Sequence, residues 1–191
     1  MRIIAGRWAG RTLVSPAGRV RPTAEALRDA CMVMLEADLE GARVLDLFAG
    51  TGALGLEALS RGAARCDFVE NGPPAIHALK ANVAALRVRD RARVFDRDAI
   101  PFVERIQDMR YDIAFADPPY GSRKLDRVIG RWLAVPFSAV LAVEHAPDHE
   151  LPARGTSRIV GDSKVTLLRA RGGARRARQP RGASRDPHPG R

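Results

Sequence analysis

The stretch YDIAFADPPYGS, residues 111–122, has the residue types most suited to chemistry. Its mostly apolar start predicts a buried strand, and because proline lacks the N–H that a sheet requires, the strand must end at Asp117. The Asp117 carboxylate and the Pro118 carbonyl could together accept the two hydrogens of an amino group. Since Asp, Pro and Gly all favour turns, the alternative is that the stretch is only a turn. The residues proposed to act here are Asp117, Pro118, Pro119 and Tyr120.

A second candidate is the glycine-rich stretch LDLFAGTGALGLEA, which follows a predicted strand and opens a helix. Gly50, Gly52 and Gly55 have the G-x-G-x-x-G spacing, which lets backbone turn tightly and approach a ligand. Strand-to-helix turns also use glycine for steric reasons, so a purely structural role stays open. Asp46, near the end of the strand, would repel a pyrophosphate but attract the amino group of an amino-acid ligand.

Two further acids follow the next two predicted strands. Glu70 is placed to accept both hydroxyls of a ribose, which suits NAD and S-adenosylmethionine equally. Asp98 could accept a hydrogen bond from an adenine amino group, with the Ala99 N–H facing the ring. An acid at a strand end is also an ordinary helix cap, so Asp98 alone does not decide between the two roles.

These residues must be positioned by an alternation of strands and helices that begins near Ala42. The alternation predicts an α/β fold with a mostly parallel sheet covered on both faces, whose ligands lie at the carboxyl ends of the strands. A terminal hairpin would add antiparallel pairing. The seven predicted strands are RVLDLF, RCDFVE, ARVFDRD, YDIAFAD, AVLAVEH, TSRIV and KVTLLRA.

Ahead of the sheet, residues 1–14 predict a short hairpin, and RPTAEALRDACMVMLE predicts an amphipathic helix with Thr23 as its N-cap. Near the chain's other end, Trp132, Leu133 and Val135 are assigned to the core. The sequence therefore divides into a basic hairpin extension (1–22), a catalytic domain (23–170) and an Arg/Gly/Pro-rich tail (171–191) expected to be disordered.

The formal net charge of +10 is concentrated at the two ends. Residues 1–22 contain five arginines and no acid, and residues 169–191 contain eight arginines and one acid. This distribution indicates a polyanionic partner such as nucleic acid, although the tail is equally explained as a solvated extension. The candidate contacts are Arg2, Arg7, Trp8, Arg11, Arg19 and Arg21.

Several other classes of function find no support in the sequence. Cys31 and Cys66 have no metal-ligand spacing and are expected to be buried thiols. His145 and His149 lie near acids but in no recognised ligand pattern, so no metal is expected. Neither a membrane-spanning window nor a signal-peptide pattern occurs, which predicts a soluble, cytoplasmic protein, expected to be a monomer.

Four features of the sequence, taken in chain order, resemble the successive motifs of class I S-adenosylmethionine-dependent methyltransferases. They are DLFAGTG, Glu70, Asp98 and DPPY. Within that class the chain resembles the RsmD family from Met1 to about residue 169, through MRIIAGRWAGRTL, RPTAEALRDACMVML, DLFAGTGALGLEALSRGA, ADPPY and VGDSKVTLL. It departs from the family's pattern at NGPPA after Glu70 and at Val160, where a tyrosine is common. The tail has no clear counterpart.

The resemblance implies a Rossmann-like methyltransferase fold, S-adenosylmethionine as cofactor, and methylation of a guanine N2 in 16S rRNA within a partly or fully assembled small subunit. Tyr120 would then stack on the extruded base. No separate recognition domain is expected between DPPY and the end of this sequence, so RNA contact is expected from loops and from the N-terminal segment. The resemblance assigns the cofactor to Asp46, Phe48, Gly50, Thr51, Gly52, Glu70, Asp98, Ala99 and Asp117.

Three alternatives stay open at this point. A DNA adenine or protein glutamine methyltransferase would use the same amino-group chemistry. A non-catalytic RNA-binding factor could keep the fold without turnover. A NAD-dependent oxidoreductase would leave Asp46 and the DPPY stretch without a role.

Overall fold

Seven strands join in one sheet with the spatial order β3-β2-β1-β4-β5-β7-β6. The computed structural model describes residues 1–15, 22–119 and 122–170. Three of the predicted site residues therefore lie outside the described residues, namely Tyr120, Arg19 and Arg21. The expected boundary near residue 22 lies at their limit, and the tail lies outside them. The strands are β1 (Arg43–Leu47), β2 (Arg65–Glu70), β3 (Ala92–Asp96), β4 (Tyr111–Ala116), β5 (Ser138–His145), β6 (Thr156–Val160) and β7 (Ser163–Arg169).

The strand pairing confirms the predicted mostly parallel sheet. Strands β1 to β5 pair in parallel, whereas β7 runs antiparallel to both β5 and β6. Register aligns the carboxyl ends of the central strands, with Leu47 opposite both Val69 and Ala116. The residues that follow these positions therefore meet at one edge of the sheet.

Helices cover both faces, because the strands carry buried apolar residues on each side. Val44 packs in one core cluster with Leu27 and Leu56, while its neighbour Leu45 packs in the other with Val103. The helices are α1 (Pro22–Met34), α2 (Glu36–Leu39), α3 (Ala53–Ser60), α4 (Pro73–Ala85), α5 (Ala99–Glu104) and α6 (Lys124–Ala134). Within the described ranges, none is long and apolar enough to cross a membrane.

The N-terminal segment folds back on itself around a short 3-10 helix, Gly6–Trp8. Arg2 and Thr12 form an antiparallel bridge, and the Leu13 amide donates to the Met1 carbonyl at 2.9 Å. Ile3 and Leu13 are buried in the same core cluster as β1 and α3. This segment is therefore part of the sheet's hydrophobic core and not a free extension.

Two local expectations are wrong. Thr23 is not an N-cap, because α1 already begins at Pro22, and proline is well suited to the first helical position. Leu133 is exposed and Val135 is only half-buried, whereas Trp132 is buried and donates from Nε1 to the Ser138 carbonyl at 2.9 Å. The buried stripe of α6 recurs every three or four residues and ends at Trp132, so the next residue turns towards water.

Candidate active site

The glycine loop after β1 has a backbone that few side chains would tolerate. Gly50 and Gly52 have φ values of 55° and 79°, in the left-handed region that favours glycine. A Cβ on Gly52 would also lie 2.4 Å from Cδ1 of Leu79. Phe48 adopts a left-handed φ of 57° without being glycine, a conformation found at functional sites and costly for bulky residues. The loop is thus held tightly against the sheet.

Asp46 lies beneath this loop and is buried. Its Oδ2 accepts a hydrogen bond from the Gly55 amide at 2.9 Å, near the start of α3. Burial raises the pKa of Asp46 to about 8; the Gly55 hydrogen bond opposes this rise, and the Asp117 and Glu70 charges add to it. A cation in the adjoining cavity would favour the ionised form of this carboxylate.

Glu70 joins the ends of β1 and β2. Its Oε2 accepts from the Gly50 amide at 2.8 Å, and its Oε1 accepts from the amides of Asn71 and Gly72 at 2.9 and 2.7 Å. The unusual NGPPA stretch therefore positions this carboxylate through its own backbone. A carboxylate has about four lone-pair sites, so after these three amide hydrogen bonds Glu70 keeps about one site for a ligand's hydroxyl group.

Asp98 has the structural role that the sequence left open, because its Oδ1 accepts from the Ile100 amide at 2.9 Å and caps α5. The same side chain lines a small pocket together with Phe48, Glu70 and Ala99. Lys124 closes the pocket from α6, with Nζ 5.7 Å from the centroid of the Phe48 ring. Capping and pocket lining are compatible here.

Two larger cavities lie above the carboxyl ends of β1 and β4. The inner cavity, of about 200 Å³, is lined by Asp46, Gly50 and Thr51 among others. The outer cavity, of about 520 Å³, is lined by Glu70, Pro118, Pro119 and other residues. Phe48 and Asp117 line both, so the two cavities form one cleft.

Asp117 faces into this cleft at the end of β4. Burial, together with the charge of Glu144, raises the pKa of Asp117 to about 7. The Pro119 carbonyl accepts from both the amide and the hydroxyl of Ser122. A role in a turn alone would not require a half-buried carboxylate in a cleft, and the acidic lining suits a positively charged ligand.

Two residues that line the cleft were not among the predicted site residues. Glu144, on β5, lines both cavities, and its only sequence signal was an acid near the end of an apolar strand. Arg28, on α1, is 5% exposed, lines the inner cavity and donates to the Arg2 carbonyl. Its Nε lies 3.5 Å from Oε2 of Glu57 yet makes no hydrogen bond to the described residues. An arginine on the apolar face of α1 was the available signal.

Those predicted RNA contacts that the structure describes, Arg2, Arg7, Trp8 and Arg11, do not line the cleft. Arg2 is exposed beside Glu25, 3.5 Å away. Arg7 and Trp8 lie at the tip of the N-terminal segment, where the Trp8 amide donates to Oγ of Ser60. Ser60 ends α3, whose eight residues span about 12 Å from the glycine loop. Arg11 is exposed near the same tip, with its amide bonded to the Trp8 carbonyl.

Comparisons with known proteins agree with this geometry. Residues 1–166 match the family described as conserved hypothetical protein 95. Over 158 residues the chain is 36% identical to Ribosomal RNA small subunit methyltransferase D of Escherichia coli K12, covering 80% of this chain and 78% of that one.

Solved structures give a matching result. A hypothetical protein of Thermus thermophilus has a TM-score of 0.77 at 33% identity, covering 89% of this chain and 99% of that one. The T. thermophilus 16S rRNA N2 methyltransferase RsmC, in complex with AdoMet and guanosine, has a TM-score of 0.61 at 24% identity, covering 81% of this chain and 44% of that one. The second likeness concerns the fold alone.

Proposed function

This chain belongs to the RsmD-type family of rRNA methyltransferases, and from that membership we propose that it transfers a methyl group from S-adenosylmethionine to the N2 amino group of a guanine in 16S rRNA. The substrate would be a partly or fully assembled small subunit in the cytoplasm. The observation that carries the proposal is the acidic cleft in which Asp46, Glu70 and Asp117 lie at the ends of adjacent strands.

The residues of the cleft fit the charges of the proposed cofactor. Asp46 and Asp117 are acids whose pKa values burial has raised, so a cationic ligand would restore their preference for ionisation. Arg28 lines the same inner cavity and is largely buried, which suits the carboxylate of an amino-acid ligand. The methionine part would therefore bind near Asp46 and Arg28.

The nucleoside part would bind towards β2 and β3. Glu70 would accept from a ribose hydroxyl, and Asp98 with Ala99 would contact the adenine beside Phe48. The backbone of Gly50 and Thr51 would approach the ligand most closely, because a Cβ on Gly50 would point into the cleft with only the Phe48 carbonyl oxygen, 4.0 Å away, near it. Gly52 would support the same loop from beneath, where a Cβ would meet Leu79. When bound, S-adenosylmethionine supplies an electrophilic methyl group attached to a positively charged sulfur.

Asp117 would position the acceptor amine. A guanine N2 lone pair is delocalised into the ring, and a carboxylate is too weak a base to deprotonate a neutral aryl amine before attack. Asp117 and the Pro118 carbonyl would instead accept the two amino hydrogens and orient the nitrogen. They would also stabilise the positive charge that develops there, and the raised pKa of Asp117 suits it to take the proton afterwards. Pro119 would stiffen the loop, and Tyr120 would stack on the base.

Glu144 favours guanine over adenine at this site. It lines the outer cavity with Asp117 and Pro118, so the cavity presents several acceptors in a small space. The Watson–Crick edge of guanine carries N1–H next to its N2 amino group, whereas adenine carries an acceptor next to its amino group. A second carboxylate would therefore pair with guanine and be repelled by the adenine ring nitrogen.

Labelled-methyl transfer tests the proposal. We expect label from S-adenosylmethionine to enter small subunits, with the product identified as N2-methylguanine after digestion. Naked 16S rRNA and duplex DNA, assayed alongside, distinguish an RNA enzyme that requires the particle from a DNA methyltransferase. Label in adenine or in glutamine would contradict the guanine assignment, and binding without transfer would indicate a non-catalytic factor.

Cofactor affinity should depend on pH. Below the raised pKa values of Asp46 (about 8) and Asp117 (about 7), binding a cation must displace protons from these carboxyls. Affinity is therefore expected to rise from about pH 6 to about pH 7.5, by up to about tenfold per unit for one proton released. This pH range lies below the pKa of the ligand's own α-amino group, about 7.7–8.0, so the titration of that amino group does not cause the expected rise in affinity.

Calorimetry in buffers of different ionisation enthalpy would measure the released protons directly. Asp46→Asn removes one titrating group and should flatten the pH dependence. A dissociation constant that stays constant over this range, with no proton release, would show that these acids do not face the bound cation.

A further inference from the structure

An exposed basic surface lies away from the cleft, around Trp8. The guanidinium carbon of Arg7 lies 5.7 Å from the centroid of the Trp8 ring, and that of Arg91 lies 5.2 Å from it. These two arginines come from the N-terminal tip and from the segment that leads into β3. Two distant parts of the chain therefore converge on one indole ring.

More exposed arginines lie close to this pair along the chain. Arg11 follows the tip, and the turn closed by the Arg91 amide and the Val88 carbonyl exposes Arg89. We call this set the Trp8 patch; its members are Arg7, Trp8, Arg11, Arg87, Arg89 and Arg91.

The arginines of the Trp8 patch are not engaged within the protein. In the parts of the chain that the structure describes, none of its five arginines has an acidic oxygen within 4.0 Å. Elsewhere, Arg110 and Arg127 are exposed but paired with acids at 2.7 and 2.9 Å. The single acid of the turn, Asp90, leaves a strong positive excess, which indicates a negatively charged partner.

The Trp8 ring does not offer a free stacking face. It is half-buried, packs against the core and carries two guanidinium groups within cation–π range. We infer that its role is to hold Arg7 and Arg91 in place. Arginine binds phosphate through a planar fork, so arginines held in this way suit the backbone of a nucleic acid more than its bases.

We propose that the Trp8 patch is a second RNA-binding surface, which contacts backbone phosphates of a folded rRNA segment remote from the target guanine. The inference rests on the proposed function, since that supplies the RNA. The tip lies about one length of α3 from the glycine loop, roughly 12 Å, so one nucleotide cannot occupy both places. Simultaneous contact at the cleft and at the patch would select a guanine by its position in a folded RNA.

Charge reversal on both segments of the patch tests this proposal. Arg7→Glu/Arg89→Glu changes two exposed side chains that make no hydrogen bond within the described residues. The matched control is Arg154→Glu/Arg158→Glu, which makes the same change in charge at two exposed residues. Arg158 lies on β6 and Arg154 just before it, on the opposite edge of the sheet from β3. Binding to small subunits and to naked 16S rRNA is measured over a salt series, with kcat and KM for methyl transfer measured on the same preparations.

We expect the patch variant to weaken RNA binding at least tenfold at low salt and to reduce the salt slope by about 2, one for each lost phosphate contact. KM for small subunits should rise, while kcat at saturation and cofactor affinity stay within about twofold, and the control should lose less than about threefold. Equal losses in both variants, or no loss in either, would overturn the proposal.

Two further measurements keep the result interpretable. Arg7→Gln/Arg89→Gln removes charge without reversing it and should give an intermediate loss, and its melting temperature reports whether folding is intact. If the wild-type protein transfers no methyl group to small subunits, the proposed function fails. The comparison of patch and control variants in RNA binding still decides whether the patch binds RNA.

Discussion

Asp117→Ala should lower kcat for methyl transfer by at least about a hundredfold to a thousandfold, the size of effect seen when a preorganised polar group at a reacting centre is removed. The variant loses both the acceptor that orients the amino group and the negative charge that stabilises positive charge on nitrogen. Cofactor affinity should change less than about tenfold, because Asp46, Glu70 and Arg28 stay in the cleft. Single-turnover kinetics with saturating cofactor would separate the chemical step from binding.

The matched control for this variant is Asp112→Ala. Asp112 lies on the same strand, β4, but near its amino end, where its Oδ2 accepts from the Arg43 amide at 2.8 Å outside the cleft. Its loss should leave kcat within about threefold, because Asp112 lies outside the cleft and a surface ion pair contributes little to stability. If Asp117→Ala lost cofactor binding while turnover per bound enzyme stayed unchanged, Asp117 would be a cofactor ligand and not a catalytic residue.

Glu57→Ala should destabilise the protein by about 3–5 kcal/mol, the range for breaking a buried ion pair by removing one partner. Glu57 is fully buried on α3 and accepts from the amides of Ile4 and Ala5 at 2.8 and 3.0 Å. It also accepts from Nε of Arg61 and lies 3.5 Å from Nε of Arg28. Its removal would take the nearest counter-charge from the buried Arg28 and break two of the hydrogen bonds that hold the N-terminal segment.

Denaturant unfolding would measure this loss as a lower midpoint at unchanged slope. Glu104→Ala is the control, because Glu104 pairs with Arg127 at the surface and should cost less than about 1 kcal/mol. We also expect weaker cofactor binding in the Glu57 variant, since Met1 and Arg28 line the inner cavity. A variant as stable as wild type would show that Arg28 and the N-terminal segment are held by other contacts.

Because the N-terminal segment is packed into the protein, deleting it would be a poor test of RNA binding. Residues 1–14 contribute Ile3 and Leu13 to the core, so their removal would expose apolar surface as well as remove arginines. Substitutions at exposed arginines separate charge from folding, which a truncation cannot do.

The sequence alone was enough to predict the sheet and the edge of it at which the candidate site residues lie. Strand and helix periodicity, glycine spacing and paired prolines are local signals, because each reflects the conformations open to a few consecutive residues. In a parallel sheet such local endings become neighbours, since every strand between crossover helices ends at the same edge. The order of residues along the chain was therefore sufficient to place Asp46, Glu70 and Asp117 together.

Tertiary structure decided what depends on distant partners. Glu57 binds the Ile4 amide across 53 residues of sequence, and Arg91 meets Trp8 across four helices and two strands. No local pattern encodes such pairings, because they arise only when separate elements pack in three dimensions. The charge of the first segment was visible in the sequence, but packing placed its tip away from the cleft and beside the arginines that precede β3.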